Sequence, residues 1–137
     1  MSHLADAPSP RILVVEDNVP SLHAVSDFLA HSGFDVRTAK SASEAKEAIA
    51  QDTCHALLLD LHLPDGHGTS LVRDLRDHPD PQVSHIVIAL LTASSLESDR
   101  DACLKAGADI FLTKPVRLRE IARLLGGYIR SRFPRPD

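Results

Sequence analysis

Apolar positions along this chain follow two alternating rhythms. Ile12-Leu13-Val14-Val15, Ala56-Leu57-Leu58-Leu59, Ile86 through Leu91 and Ile110-Phe111-Leu112 are unbroken apolar runs of strand length. Between them, apolar residues recur every three or four positions, as on one face of a helix. Arg11 to Glu16 reads as the first strand, and Pro20 opens a helix with Leu22, Val25, Phe28 and Leu29 on one side, stopped at Gly33. Phe34 to Ala39 is the second strand. Ser41 and Glu44 have capping-box spacing and predict a helix from Ala42 to Gln51. Ala56 to Asp60 is the third strand, followed by a turn through Pro64-Asp65-Gly66-His67-Gly68 and a helix carrying Leu71, Val72 and Leu75 that ends before Pro79 and Pro81. His85 to Leu91 is the fourth strand. Ser94-Ser95-Leu96-Glu97 repeats the capping-box pattern and predicts a helix to Ala106, with Gly107 as its left-handed stop. Asp109 to Thr113 is the fifth strand, and Leu118, Ile121, Leu124, Leu125 and Ile129 mark the last helix.

Strictly alternating strands and helices predict a parallel sheet covered on both faces. In such a sheet ligands bind beyond the carboxyl ends of the strands. Four of the runs end there in residues with chemistry: Glu16 and Asp17, Asp60, Thr92, and Lys114. Asp60 carries the most weight, because a carboxylate at the end of a fully apolar strand is costly to hide without a purpose. Glu16, Asp17 and Asp60 offer the hard oxygen ligands that Mg2+ accepts while it keeps several waters and takes phosphate oxygens. Asp60 is then a candidate nucleophile toward a phosphoryl group, with the metal and Lys114 neutralising phosphoryl charge and Thr92 donating a hydroxyl hydrogen bond.

Composition narrows the classes. A chain of 137 residues with 43% apolar content fits one soluble domain with one sizeable core. Residues 1–10 read as a flexible leader, 11–132 as the domain and 133–137 as a tail. No apolar run approaches membrane-spanning length, and the first residues lack a signal-peptide pattern, so a cytoplasmic location is expected. Cys54 and Cys103 have no metal-site spacing and read as reduced, small apolar side chains. A net charge of −4 gives no general attraction to nucleic acid. The late arginines, Arg117, Arg119, Arg123, Arg130, Arg132 and Arg135, read as a solvated helix face.

Leu13-Val14-Val15-Glu16-Asp17-Asn18, Leu58-Leu59-Asp60-Leu61-His62-Leu63-Pro64-Asp65-Gly66, Leu91-Thr92-Ala93 and Phe111-Leu112-Thr113-Lys114-Pro115 resemble, in order, the motifs of the receiver domain of two-component response regulators. The resemblance covers about Arg11 to Arg130. It implies a flavodoxin-like α/β/α fold, with a doubly wound five-stranded parallel sheet in order 2-1-3-4-5. It implies further that Asp60 is the phosphoacceptor and Asp17 a direct Mg2+ ligand. Glu16 would act mostly through water, and the His62 backbone carbonyl would be a further ligand. Thr92 and Phe111 would form a switch pair that repacks the surface of the fourth helix, fifth strand and fifth helix. The Lys114-Pro115 bond would be cis, and His62 and Ser94 would tune the lifetime of the phosphorylated state.

The implied donor is a phosphohistidine on a sensor histidine kinase or a histidine phosphotransfer protein. The downstream protein target is unknown, no direct DNA or membrane contact is expected, and the state is a monomer or a phosphorylation-dependent dimer. The protein would be a signalling switch rather than an enzyme, limited to its own phosphotransfer and autodephosphorylation. Three alternatives share parts of this pattern. One is a receiver module from a hybrid kinase or larger regulator. A haloacid-dehalogenase-type aspartyl-phosphate phosphatase would want a second aspartate two residues after the first, where His62 stands. A non-phosphorylatable binding module would lack one of the acidic, acceptor or lysine positions, and this chain keeps all of them.

Overall fold

The computed structural model describes residues 9–93 and 96–134. Five strands, β1 (Arg11–Val15), β2 (Asp35–Ala39), β3 (Ala56–Asp60), β4 (Val87–Thr92) and β5 (Ile110–Thr113), pair in parallel in the order β2-β1-β3-β4-β5. Five helices connect or follow them: α1 (Val19–His31), α2 (Ala42–Gln51), α3 (Gly68–Arg76), α4 (Glu97–Ala106) and α5 (Leu118–Arg132). A two-residue hairpin pairs His62–Leu63 with Gly66–His67, and a single helical turn spans Pro81–Ser84. The periodicity of the sequence did not reveal either small element, because two-residue strands and one-turn helices are shorter than the period that would announce them.

Alternation along each buried strand splits the core into two layers. Leu13, Val15, Leu57, Leu59, Ile88 and Leu90 pack with Ala45, Ile49, Leu71, Val72, Leu75 and Cys103 on the α2–α3–α4 side. Ile12, Val14, Leu58, Val87 and Ala89 pack with Leu22, Leu29, Ile121, Leu125 and Ile129 on the α1–α5 side. The central strands are apolar at every position because both of their faces are covered. Cys54 and Cys103 are free and buried, and burial pushes the Cys54 thiol up to about 12, so both serve as small core side chains.

The helix starts follow local chemistry. Asn18 caps α1 through its side chain, with Pro at the first turn. Ser41 caps α2 by accepting from Glu44 N–H, while the Glu44 carboxylate turns back to accept from Lys40 N–H. At α4 the expected capping box does not set the boundary. Ser94 and Ser95 lie outside the described residues, and the helix begins at Glu97 because the Leu96 carbonyl accepts the first helical bonds, from Asp99 and Arg100. Gly107 ends α4 with φ at 119°, a left-handed conformation that glycine takes without steric cost.

Arg132 of the late arginine group is not merely solvated, which corrects the sequence reading at that position. Arg132 pairs with Asp109 Oδ1 at 2.7 Å. Asp109 also takes the Arg76 guanidinium at 2.9 Å and the Ile88 N–H at 2.8 Å. Arg76 reaches the carbonyls of Gly107, Ser84 and Ile86 as well. One half-buried carboxylate thus joins α3, β4, the turn before β5 and the end of α5, at the amino ends of the strands, the opposite end from Asp60. Arg135 lies outside the described residues. Among the described residues, no helix is long and apolar enough to cross a membrane.

Candidate phosphoryl and metal site

Parallel pairing brings the carboxyl ends of β1, β3, β4 and β5 to one rim. Glu16 follows β1 and Asp60 ends β3, whose register partner on β4 is Leu91, one residue before Thr92. Thr92 in turn is aligned with Thr113, and Lys114 N–H donates to the Thr92 carbonyl at 2.7 Å. The pairing therefore places Thr92 and Lys114 beside Asp60. The Lys114-Pro115 peptide is cis.

Carboxylate oxygens of Glu16, Asp17 and Asp60 all lie within 4.8 Å of one another. The Lys114 ammonium stands 3.3 Å from Glu16 Oε1 and 3.3 Å from Asp60 Oδ2. Asp60 Oδ1 accepts the His62 backbone N–H at 3.0 Å, and Glu16 Oε2 accepts the Asn18 N–H at 3.2 Å. Glu16 is buried with 8% exposure, whereas Asp17 faces solvent. Burial pushes the Glu16 carboxyl up from its ordinary value, and neighbouring Asp60 adds to the rise against the pull of Asn18 N–H and Lys114. For Lys114 burial works downward, but Asp60 and Glu16 outweigh it and hold the ammonium above the usual lysine range.

Three carboxylates against one ammonium leave the rim with uncompensated negative charge and hard oxygen donors at close quarters. That donor set fits Mg2+, which takes carboxylate oxygens in part and retains water for the rest. Thr92 is fully buried, and Phe111 is half-buried against the core layer that includes Cys103 and Ala106. His62 is exposed, and its ring meets His67 edge-on across the hairpin at 5.4 Å. Ser94 lies outside the described residues. Near the rim, the sequence does not announce one contact: the Asp65 carboxylate accepts the Ala42 and Ser43 backbone N–H groups at 2.8 and 3.0 Å.

A doubly wound parallel sheet with an acidic cluster, a buried threonine and a lysine at one rim is a flavodoxin-like fold with a candidate metal and anion site. The family model described as the response regulator receiver domain matches residues 12–125. This chain belongs to that family. It is 35% identical over 123 residues to the transcriptional regulatory protein GltR of Pseudomonas aeruginosa, covering 89% of this chain and 50% of that protein. It is 36% identical over 124 residues to the transcriptional regulatory protein PrrA of Mycobacterium tuberculosis, covering 90% of this chain and 52% of that protein. The chain thus spans about half the length of the curated relatives it matches.

Solved structures agree. The CheY-like receiver domain protein from Methanospirillum hungatei superimposes with a TM-score of 0.82 at 25% identity, covering 90% of this chain and 96% of that one. The receiver domain of sensor histidine kinase PA1611 from Pseudomonas aeruginosa, solved with a magnesium ion coordinated in its active-site cleft, gives 0.79 at 30% identity and covers 88% and 98%.

Proposed function

We propose that this receiver domain accepts a phosphoryl group from a phosphohistidine onto Asp60, with Mg2+ held by Asp17, Asp60, the His62 carbonyl and, through water, Glu16. The observation that carries this reading is the convergence of three carboxylates within 4.8 Å with Lys114 at 3.3 Å from two of them. An Asp60 carboxylate oxygen forms the new O–P bond as the donor's N–P bond breaks, and the donor nitrogen keeps the electron pair. Bound magnesium offsets the repulsion among carboxylates and phosphoryl oxygens. Lys114 moves its ion pair from Asp60 to a phosphoryl oxygen, and Thr92 turns its hydroxyl toward another.

The phosphoryl group brings roughly −2 charge and three strong acceptors to the rim. Movement of Thr92 vacates space beside β5, and Phe111 turns inward, repacking the α4–β5–α5 surface for a downstream protein. His62 and Ser94 tune how fast water removes the group. The partners are a sensor histidine kinase or a histidine phosphotransfer protein. The curated relatives are transcriptional regulators by name, which favours a transcriptional output for a whole protein carrying this domain. No DNA contact is assigned to the domain itself.

The test is incubation with Mg2+ and a small acyl-phosphate donor followed by intact-mass measurement. A single adduct on the wild type that is absent from Asp60→Asn supports the reading. Multiple turnover of donor without adduct, as in a phosphatase, or no reaction at all, refutes it.

A further inference from the structure

The first amides of α2 are satisfied from two directions. Ser41 supplies the acceptor for Glu44 N–H, as a local cap does. Ala42 and Ser43 N–H, however, are taken by Asp65, which is 22 residues or more away in sequence. The Ser43 hydroxyl donates to the same carboxylate. Although Asp65 is exposed, these donors, the Ser43 hydroxyl foremost, hold its carboxyl down to about 2. The tie is therefore made by an ionised carboxylate at neutral pH.

Asp65 sits at the tip of the hairpin whose first strand is His62–Leu63. The base of that hairpin is already fixed: His62 N–H donates to Asp60 Oδ1, and Gly68 N–H donates to the Leu61 carbonyl at 2.7 Å. A Cβ on Gly68 would stand 3.1 Å from the Leu61 backbone, so the base closes tightly. Leu63 pairs with Gly66 and is buried in the core, but Pro64, Asp65, Gly66 and His67 are all exposed. The exposed turn itself is fastened by the Asp65 carboxylate, which bonds the start of α2.

We infer that Asp65 is a positioning residue for the metal: by fastening the hairpin tip to the α2 amino terminus, it holds the His62 backbone in the orientation that the Mg2+ site requires. The inference rests on the reading of Asp60 and His62 as parts of a Mg2+-dependent phosphoacceptor site. Asp65 touches neither the metal nor the phosphoryl group in this scheme; it acts through the rigid hairpin. Residues that orient a metal ligand from behind are worth about 10- to 100-fold in metal affinity.

The experiment is calorimetric titration of the full chain with MgCl2, comparing wild type, Asp65→Ala, Asp65→Asn and Asp74→Asn. Asp74 serves as the control because its ion pair with Lys46 also joins α2 to α3, at 2.8 Å, without touching the hairpin. Asp65→Ala is expected to weaken Mg2+ binding about tenfold, Asp65→Asn by less, because its amide oxygen still accepts one helix N–H. Asp74→Asn is expected to bind like wild type. Phosphorylation at saturating Mg2+ should return close to the wild-type rate in Asp65→Ala, while at low Mg2+ it lags. Wild-type affinity in Asp65→Ala, or an equal loss in Asp74→Asn, overturns the positioning role. Absence of Mg2+ binding by the wild type overturns the underlying site reading instead.

Discussion

Lys114 Nζ stands 3.3 Å from Asp60 Oδ2, across 54 residues of sequence, and shares its charge with Glu16 at the same distance. The ammonium thus rests on the group proposed as nucleophile and is placed to follow the charge when a phosphoryl group arrives. Lys114→Ala is expected to slow phosphorylation of Asp60 about 100-fold at fixed Mg2+, the scale of losing one charge-stabilising donor in a reactive site. The rate of adduct formation by intact mass measures it. Mg2+ affinity should not fall, since the lost cation competed with the metal.

Glu16 makes a second prediction about sign. Its folded-state pKa is raised, chiefly by burial and then by Asp60. In metal-free protein the folded state therefore binds the Glu16 proton more tightly than the unfolded chain. That contribution to stability is present at low pH and is lost as pH rises through the folded pKa. Glu16→Gln is expected to raise the metal-free urea midpoint at neutral pH. Mg2+ at 100 times its dissociation constant should stabilise the wild type by about 2.7 kcal/mol. The gain should shrink in Glu16→Gln and Asp17→Asn, as read from urea melts with and without the ion.

His55 has the opposite linkage. Its Nδ1 accepts the Arg11 N–H at 2.9 Å, and its ring meets Phe133 edge-on. Burial, and then the Arg11 charge, hold its pKa below the ordinary value of 6.5. The unfolded chain consequently binds the proton first, so stability is full above about 6.5 and declines as pH falls from there through the folded pKa. The wild-type urea midpoint should be lower at about pH 5.5 than at about pH 7.5. His55→Gln, which keeps an acceptor without titrating, should narrow that difference.

The Asp109 cluster offers a separation of stability from function. Burial works against the Asp109 carboxylate, but Arg132, the Ile88 N–H and Arg76 outweigh it and keep its pKa low. Asp109→Asn leaves the half-buried Arg76 guanidinium, with the exposed Arg132 beside it, facing a neutral amide, at a cost of about 2 kcal/mol. Its urea midpoint should drop accordingly. Because the cluster lies at the amino ends of the strands and Asp60 at the carboxyl end, adduct formation under native conditions should proceed at a rate within about threefold of wild type, a distant site being energetically independent.

The rim was legible in the sequence because three independent regularities converge on it. Unbroken apolar runs mark central parallel strands, such strands end at a common rim, and Glu16, Asp60, Thr92 and Lys114 each sit one step beyond or at the end of a run. Contacts that depend on the path of a loop left no such trace. Asp65 in a Pro-Asp-Gly turn looks like any turn residue until the fold swings α2 against it, and Asp109 looks like a strand start until Arg76 and Arg132 arrive from 33 and 23 residues away. The capping-box pattern at Ser94 misplaced the start of α4 for a related reason. The pattern counts residues, whereas the helix starts where a carbonyl first finds its N–H partners, at Leu96.

The most direct measurement is the position of the phosphoryl group. The chain would be treated with a small acyl-phosphate donor, with Mg2+ or with a chelator, then trapped by borohydride reduction and mapped by peptide mass spectrometry. Modification at Asp60 alone, dependent on Mg2+ and lost in Asp17→Asn, is the expected result. Modification at another carboxylate, or equal modification of Asp60 in the chelator, would contradict the proposed site.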